Sequence, residues 1–209
     1  MSIWTSKRFV WGLALCLPLM MACVPPAGPG GVSSGVAPRK VSVLAGQITA
    51  AAPAGYCIDP AAVLQSGDSA IVLIGRCDGQ DTRAPAILSV TVGETGSGAG
   101  VGPSAGPELA AFFTSNAGRA VLSRPGRAKT VTVLEAVGAG NAFLIRLRDT
   151  SPNRDGAGQA ESWRAVLALS GRLVSLNVTG TAAAPMDSAA MRKLLDGFVA
   201  AMVAANPRR

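Results

Sequence analysis

Alternating apolar and polar positions predict two β-hairpins in the second half of the chain. In the first hairpin, Phe143, Ile145 and Leu147 alternate with Arg146 and Arg148. A period of two is that of a strand with one buried face. We therefore expect the three apolar side chains to face the core and the two arginines to face outward.

The second predicted hairpin spans residues 163–179 and turns at Ser170 and Gly171. Its apolar positions are Trp163, Ala165, Leu167 and Leu169 before the turn, and Val174, Leu176 and Val178 after it. This unbroken alternation on both sides of a turn makes the segment the clearest strand pair in the sequence.

The first half of the chain has a less regular pattern. Residues 41–52 begin with alternating valines and then meet a glycine, which indicates a strand with a bend. Residues 70–74 form a continuous apolar run typical of a buried central strand, and residues 86–94 alternate as a third strand. Residues 61–65 predict a short helical turn, and the glycine-rich residues 93–106 predict a mobile loop.

Two segments have helical spacing. The first, residues 107–118, starts with a proline and a glutamate and stops at Asn116 and Gly118. The second is capped by Asp187 or Ser188 and carries one apolar stripe, which is typical of a helix packed on a sheet. The stripe consists of Met191, Leu194, Leu195, Phe198, Val199, Met202 and Val203.

These elements together predict an α+β domain over residues 40–206. Strands outnumber helices and are joined by short turns, so we expect an antiparallel sheet with the two helices packed on one face. A segment of this length is enough for one domain with a sizeable core.

The order of elements, with the turn formed by residues 52–56, resembles the PsbP/DcrB-like fold. Members of that family begin with a strand that leads into a Pro-x-Gly-aromatic turn, here Pro53-Ala54-Gly55-Tyr56, and finish with an amphipathic helix. Those proteins are mainly non-catalytic accessory proteins, and many are lipid-anchored. The resemblance therefore implies a binding or accessory role.

The start of the chain has the layout of a secretion signal. Lys7 and Arg8 precede an apolar run over residues 9–21, and Ala22 stands before Cys23. The segment resembles a bacterial lipobox, with methionine three residues before the cysteine where the pattern prefers leucine. The resemblance implies that a signal peptidase removes residues 1–22 and that the Cys23 thiol carries diacylglycerol.

Two alternatives to lipidation stay open at this point. One is an ordinary signal peptide cut nearby, and the other is a membrane-spanning anchor, although the apolar run is shorter than the ~20 residues such a helix needs. After the cysteine, residues 23–39 read as a flexible linker rich in Pro, Gly, Ser and Ala. Val24 rather than aspartate follows Cys23, which by resemblance to lipoproteins indicates the outer rather than the inner membrane.

The charge of the chain indicates anionic surroundings. Of the 19 basic residues, Lys7 and Arg8 leave with the signal, so 17 remain against 12 acidic residues and the net charge is about +5. Such a surface favours the membrane's anionic lipids or an anionic envelope polymer, and no nucleic-acid-binding pattern is present. The densest basic stretch, read either as a solvated loop or as a contact for an anionic partner, contains Arg119, Arg124, Arg127 and Lys129.

Cysteine usage fits an oxidising compartment. With Cys16 removed and Cys23 lipidated, Cys57 and Cys77 remain, and we expect them to form a disulfide. The chain-entropy model gives such a bridge a stabilisation of about 3 kcal/mol. A redox pair is the alternative, but the C-x-x-C spacing that lowers a thiol pKa is missing.

The residue types needed for catalysis are scarce. The chain has no histidine, which removes Ser-His and Cys-His pairs and the commonest transition-metal ligand. Cys57 and Cys77 supply only two of the four ligands that tetrahedral zinc needs. A Ser-Lys dyad stays open, although no Ser-x-x-Lys motif is present. We therefore expect no cofactor, no metal and no catalytic activity.

Three further patterns imitate functional sites. Residues 153–156 resemble the middle of a calcium loop, but the bidentate carboxylate of that loop is misplaced. Residues 100–105 fit the loose dinucleotide pattern, yet a proline removes an amide donor and no parallel strand-helix-strand unit follows. Asp59, Asp78 and Asp81 are the only acids that the disulfide gathers, and they are read as solvated turn residues.

The sequence thus predicts a lipid-anchored, non-catalytic binding or accessory protein of the bacterial cell envelope that faces the periplasm. An envelope enzyme that uses Asp, Ser or Lys groups and a soluble secreted binding protein are the alternatives. A deep pocket with converging polar groups would favour an enzyme or a small-molecule binder, whereas a filled core with an exposed apolar patch would favour a protein partner.

Overall fold

The alternating segments form strands that pair in antiparallel fashion. The structure, a computed structural model, describes residues 37–79, 82–152 and 157–207. The strands are β1 (Lys40–Val43), β2 (Ile48–Ala51), β3 (Tyr56–Ser66), β4 (Ser69–Arg76), β5 (Ala86–Val92), β6 (Val131–Ala139), β7 (Ala142–Asp149), β8 (Glu161–Leu169) and β9 (Arg172–Gly180). The helices are α1 (Gly106–Thr114), α2 (Asn116–Leu122) and α3 (Ser188–Ala205).

Seven of the described strands form one sheet in the order β3-β4-β5-β9-β8-β7-β6, and β1 pairs with β2 separately. Every neighbouring pair in the large sheet is antiparallel. The predicted α+β class with an antiparallel sheet is therefore confirmed. The two hairpins of the second half lie where alternation predicts them, as β6-β7 and β8-β9.

The helices cover opposite faces of the sheet, which differs from the predicted arrangement. Helix α3 packs with the β1-β2 hairpin against the face that carries Leu144 and Leu176. Helices α1 and α2 pack against the other face, which carries Phe143 and Ile145. The consecutive residues Phe143, Leu144 and Ile145 are all buried, because β7 is covered on both sides.

Two predictions for the first half are wrong for reasons of tertiary pairing. Residues 41–52 form the β1-β2 hairpin rather than one bent strand, and the turn is made by Leu44, Ala45 and Gly46 with positive φ. Residues 61–65 belong to β3 rather than to a helical turn, because Val63 and Leu64 pair with β4 after a register shift. Strand pairing here overrides the local preference of an alanine-rich segment.

Strand β4 contains the apolar run of residues 70–74, but only one of its faces is buried. Val72 and Ile74 lie in the core. Ile71 and Leu73 are 41% and 43% exposed on the other face. The prediction of a buried central strand is therefore wrong for this face. The structure instead leaves the second face of β4 uncovered, because α1 and α2 lie over the β6-β7 side of the sheet.

The helix predicted over residues 107–118 is two helices that meet at Ser115. The Ser115 hydroxyl accepts a hydrogen bond from the Gly118 amide at 3.2 Å and caps the start of α2. At Gly118 the two helices approach so closely that an added Cβ would lie 2.0 Å from the Phe112 carbonyl oxygen. Glycine is therefore the residue that this corner accommodates.

Helix α3 has the predicted cap and the predicted buried stripe. The Asp187 carboxylate accepts a hydrogen bond from the Ala190 amide at 2.8 Å. Met191, Leu195, Phe198 and Met202 are fully buried. At the other end, the Asn206 side chain accepts from the Thr49 amide and donates to the Thr49 carbonyl, both at 2.8 Å, which holds β2 to the helix.

Arg172, at the start of β9, is buried with only 1% of its surface exposed. Its guanidinium donates to the Asp68 carboxylate at 2.5 Å and to the Thr95 hydroxyl at 2.6 Å. It also donates to the Gln47 side chain at 2.7 Å and to the carbonyls of Asp68 and Gly93 at 2.7 and 2.9 Å. These acceptors come from the β1-β2 turn, the β3-β4 turn and the loop after β5, so one cation joins three segments.

The loop after β5 is held in place, contrary to the prediction that residues 93–106 are mobile. The Gly93 amide donates to the Leu173 carbonyl at 2.8 Å, and the Gly98 amide donates to the Gly171 carbonyl at 3.2 Å. A Cβ on Gly98 would meet the Arg172 backbone at 2.9 Å. The glycines of this loop thus permit close packing on the β8-β9 turn.

We expect the Asp68-Arg172 pair to make stability fall at low pH. The hydrogen bond from Arg172, followed by those from Thr95, holds the pKa of Asp68 at about 2, below the ordinary value of about 3.9. The depressed pKa contributes stability above about pH 4 that is lost as the pH falls towards about 2. Asp68→Asn should be less stable at pH 7 and should lose less stability over that window, as measured by urea unfolding from pH 7 to 2. Parallel pH profiles of the two proteins would contradict this role.

A pair of glycine substitutions tests the α1-α2 corner. Gly118→Ala forces a methyl group against the Phe112 carbonyl and should lower the free energy of unfolding by at least about 2 kcal/mol. Gly197→Ala is the matched control, because Gly197 is an exposed position of α3 with nothing within 4 Å of an added Cβ. It should raise stability by roughly 0.5–1 kcal/mol. Urea unfolding of both variants measures the two effects, and equal effects would refute the close approach.

Candidate functional site

Arg124, from the predicted basic contact, braces the loop after β7. Its guanidinium donates to the carbonyls of Ser151 and Asp149 at 2.6 and 3.2 Å. Its backbone amide donates to the Asp149 carboxylate at 2.9 Å. The side chain is still 39% exposed. Arg124 therefore fixes the local backbone whether or not it also meets a partner.

The remaining residues of the basic stretch differ in their surroundings. The Arg119 guanidinium donates to the Asn116 side chain at 2.7 Å, within α2. Arg127 and Lys129 are exposed; Arg127 caps the start of a short 3-10 turn and Lys129 lies within it. Among the described residues, neither of these two side chains has a hydrogen bond or ion pair. Their role as a contact for an anionic partner stays a prediction.

The predicted disulfide is present between Cys57 in β3 and Cys77 just after β4, with their Cα atoms 4.9 Å apart. Pairing of β3 with β4 brings the two together, since Cys57 lies opposite Gly75 in the register. The Cys77 amide also donates to the Gly55 carbonyl at 3.1 Å. The bridge thus fastens the edge strand of the sheet to its neighbour.

Several predicted features lie outside the described residues. They are the signal segment with Cys23, the linker before residue 37, the calcium-like residues 153–156, and Asp81. Asp59, which the sequence analysis grouped with Asp81, is among the described residues. Its carboxylate accepts a hydrogen bond from the Ala61 amide at 2.9 Å, as in a turn.

Among the described residues, no three His, Cys, Asp or Glu side chains gather as a metal site. None of the helices in those residues is long and apolar enough to cross a membrane.

A cavity of about 220 Å³ lies on the α2 side of the sheet, where β5, β7, β8 and β9 meet the end of α2. Its apolar wall includes Ile87, Leu122 and Leu147. Its polar residues are Arg124, Asp149, Gln159, Ser162, Arg164, Asn177 and Thr179. In the described fold, an apolar wall and several polar groups converge here around a partly buried cation whose Nε atom is buried.

Arg164 is that cation. It lies in β8 opposite Asn177 of β9 and opposite Ile145 of β7. Its Nε atom is buried and has no hydrogen-bond partner in the part of the chain that the structure describes. Burial lowers the pKa of Arg164, and the Asp149 carboxylate opposes that shift. Arginine stays protonated in proteins, so the cavity holds a charge whose lost hydration is incompletely replaced.

The Asp149 carboxylate is already occupied by other donors. Its side chain is 4% exposed. It accepts from the backbone amides of Arg124 and Ser151, each at 2.9 Å. Burial acts to raise the pKa of Asp149, but these hydrogen bonds outweigh it and hold the pKa below its usual value. Asp149 is therefore an anion at neutral pH whose two oxygens accept from the segment after α2 and from the loop after β7.

Other polar side chains of the cavity are also committed to the fold. Gln159 accepts from the Met186 amide at 2.7 Å and donates to the Met186 carbonyl at 3.1 Å. The Thr179 hydroxyl donates to the Glu161 carbonyl at 3.2 Å. Ser162, Arg164 and Asn177 differ, because no side-chain hydrogen bond links them to the described residues. These three groups are free to meet a ligand.

Sequence reasoning did not select Arg164. Alternation in β8 assigns it to the face opposite Trp163 and Ala165, and a charged residue there reads as solvent-facing. The signal that the sequence offered was the apolar residue Val166 on the same face, and in the structure Val166 is 3% exposed. It indicates that a second layer covers this face, but sequence alone does not locate that layer.

A small apolar patch lies on the same face, towards the β3 edge. Leu64, Ile71 and Leu73 are 58%, 41% and 43% exposed. Leu64 pairs directly with Ile71, so the two side chains are on one side of the sheet. The described structure thus has both a polar cavity and an exposed apolar patch on the face that α3 does not cover.

The chain is similar to two solved structures. One is a mutant of the protein Mog1, with 14% identity and a TM-score of 0.43 over 79% of this chain and 93% of that chain. The other is the Saccharomyces cerevisiae Ran-binding protein Mog1p, with 14% identity and a TM-score of 0.43 over 82% of this chain and 95% of that chain. No protein-family model and no curated protein matches the sequence.

Two substitutions separate the structural arginine of the basic stretch from an exposed one. Arg124→Met removes the hydrogen bonds to the Ser151 and Asp149 carbonyls and should lower the free energy of unfolding by about 1–2 kcal/mol. Arg127→Met changes an exposed residue and should stay within about 0.5 kcal/mol of the wild type. Urea unfolding at neutral pH distinguishes them, and equal stabilities would remove the bracing role of Arg124.

Proposed function

We propose that this chain is a lipid-anchored, non-catalytic binding or accessory protein of the bacterial cell envelope, facing the periplasm from the outer rather than the inner membrane. The observation that carries the proposal is the Cys57-Cys77 disulfide, because disulfides persist outside the reducing cytoplasm. It agrees with the secretion signal and the lipobox-like residues that end at Cys23. The disulfide is a tertiary contact and the signal is a targeting segment, so the two features support the same location independently.

Binding is favoured over catalysis by the chemistry of the cavity. Its free groups are a hydroxyl, a guanidinium and an amide, which recognise a ligand but supply no general base. Asp149 is the one carboxylate among the described lining residues, and its oxygens accept from backbone amides. The chain also has no histidine that would activate Ser162. An envelope enzyme based on Asp, Ser or Lys is the competing class.

The resemblance to PsbP/DcrB-like proteins fits the same role. The turn at residues 53–56 follows β2, and its Gly55 has a φ of 85°, which glycine adopts without strain. Tyr56 is buried and its hydroxyl donates to the Ala84 carbonyl at 2.8 Å. The Pro-x-Gly-aromatic turn therefore has a structural role in this fold, as the family pattern implies. Membership in the PsbP/DcrB-like family is part of this proposal.

The membrane is the first partner of such a protein. The exposed Arg127 and Lys129 would add attraction to anionic headgroups or to an anionic envelope polymer. Each basic residue near an anionic surface contributes about 1 kcal/mol. The covalent lipid would supply most of the membrane affinity, and the basic pair would orient the domain.

The test is intact mass together with membrane fractionation of the wild type and Cys23→Ala. We expect the wild type to carry a lipid-sized mass increment and to fractionate with the outer membrane, and Cys23→Ala to lose both. Cys16→Ala is the control, because Cys16 lies inside the apolar run and should leave both results unchanged. A wild-type mass that fits cleavage without lipid, with the protein in the soluble fraction, would overturn the anchor and favour a soluble secreted protein.

A further inference from the structure

A buried guanidinium N–H without an acceptor is costly, because the group has lost water and gained no partner. Arg164 is partly exposed, but its Nε atom is buried and has no acceptor within the described residues, whereas the fully buried Arg172 has five acceptor contacts. We propose that the cavity around Arg164 is a binding site for a singly charged carboxylate that carries a short apolar group. This inference does not depend on the lipid anchor.

The free groups of the cavity match a carboxylate. A guanidinium presents parallel N–H donors that pair with the two oxygens of one carboxylate. Asn177 lies directly across from Arg164 in the register, and Ser162 lies two residues before it on the same face. Their amide and hydroxyl groups supply further donors. Three donors thus surround one position that an anion would fill.

The charge of the cavity favours a single negative charge. Among the described lining residues, Arg124 and Arg164 contribute two positive charges and Asp149 contributes one negative charge, so these residues have one positive charge in excess. A monocarboxylate neutralises that excess. A dianionic phosphate would leave a net negative charge next to the Asp149 carboxylate, in a site where burial strengthens repulsion.

The size and apolar wall of the cavity limit the rest of the ligand. A volume of about 220 Å³ equals the volume of roughly seven water molecules, so the site fits a small acid or one end of a chain. Ile87, Leu122 and Leu147 face this space and would cover a short hydrocarbon group. The same chemistry is offered by a free short-chain acid and by the terminal carboxylate of a peptide that ends in an apolar residue.

The experiment measures binding to the purified mature protein, in detergent where it is lipidated. Butyrate is titrated by calorimetry and by thermal unfolding, with butyramide as the uncharged control and inorganic phosphate as the alternative anion. A tripeptide ending in leucine and its amidated form provide the second source of the carboxylate. We expect Tm to rise with butyrate or with the free-acid peptide, and not with butyramide or the amidated peptide. The stronger of the two carboxylates identifies the source.

Two variants change the site without removing a hydrogen bond of the fold. Arg164→Met removes the cation and should raise Tm without ligand, since a partly buried guanidinium with an unpartnered Nε is replaced by an apolar group. It should weaken carboxylate binding by at least about 100-fold. Asn177→Asp places a carboxylate opposite Arg164, so it should also raise Tm and abolish binding. Lys193→Met is the charge-matched control on the exposed side of α3, and it should bind as the wild type does.

Two results would overturn the proposal. The first is a wild type that binds neither carboxylate, or that binds phosphate more tightly than both. The second is unchanged binding in both Arg164→Met and Asn177→Asp. If Arg164→Met does not fold, carboxylate binding by Asn177→Asp alone tests the proposal.

Discussion

The burial of the Arg172 guanidinium is the constraint on which one end of this fold depends. A buried cation needs acceptors for its donors. Here they come from Gln47, Asp68, Gly93 and Thr95, in three separate segments. The β1-β2 hairpin, the β3-β4 turn and the loop after β5 must therefore converge on the first residue of β9. This convergence orders a glycine-rich loop that has little apolar surface of its own.

Two arginines with buried guanidinium nitrogens, Arg172 and Arg164, differ in a way that separates structure from function. Arg172 faces the α3 side and its acceptors are all supplied by the fold. Arg164 faces the α2 side, beside Ser162 and Asn177, and its Nε has no acceptor among the described residues. A fold that supplies acceptors to the buried Arg172 guanidinium and leaves the buried Nε of Arg164 without one has retained a local cost. We attribute that cost to ligand recognition.

The division of the helices between the two faces creates the place for this site. On one face, α3 and the β1-β2 hairpin cover the sheet and form the main core. On the other, the short α1 and α2 cover only the β6-β7 side and leave β3, β4 and β5 open. The cavity lies at the border between the covered and the open parts, where Leu122 of α2 meets Ile87 of β5. An apolar wall and solvent access are therefore available at one position.

The sequence by itself determined the features that depend on neighbouring residues. Alternation located β6 to β9, the capped stripe located α3, and the pair Cys57 and Cys77 indicated the disulfide that the structure contains. Tertiary structure decided which layer covers each face, and therefore that β4 has an open side, that residues 61–65 pair as a strand, that Arg172 is buried, and that the Arg164 Nε atom is buried without an acceptor. The physical reason is that periodicity reports which side chains share a face, whereas burial of a charge depends on atoms contributed by residues distant in the chain.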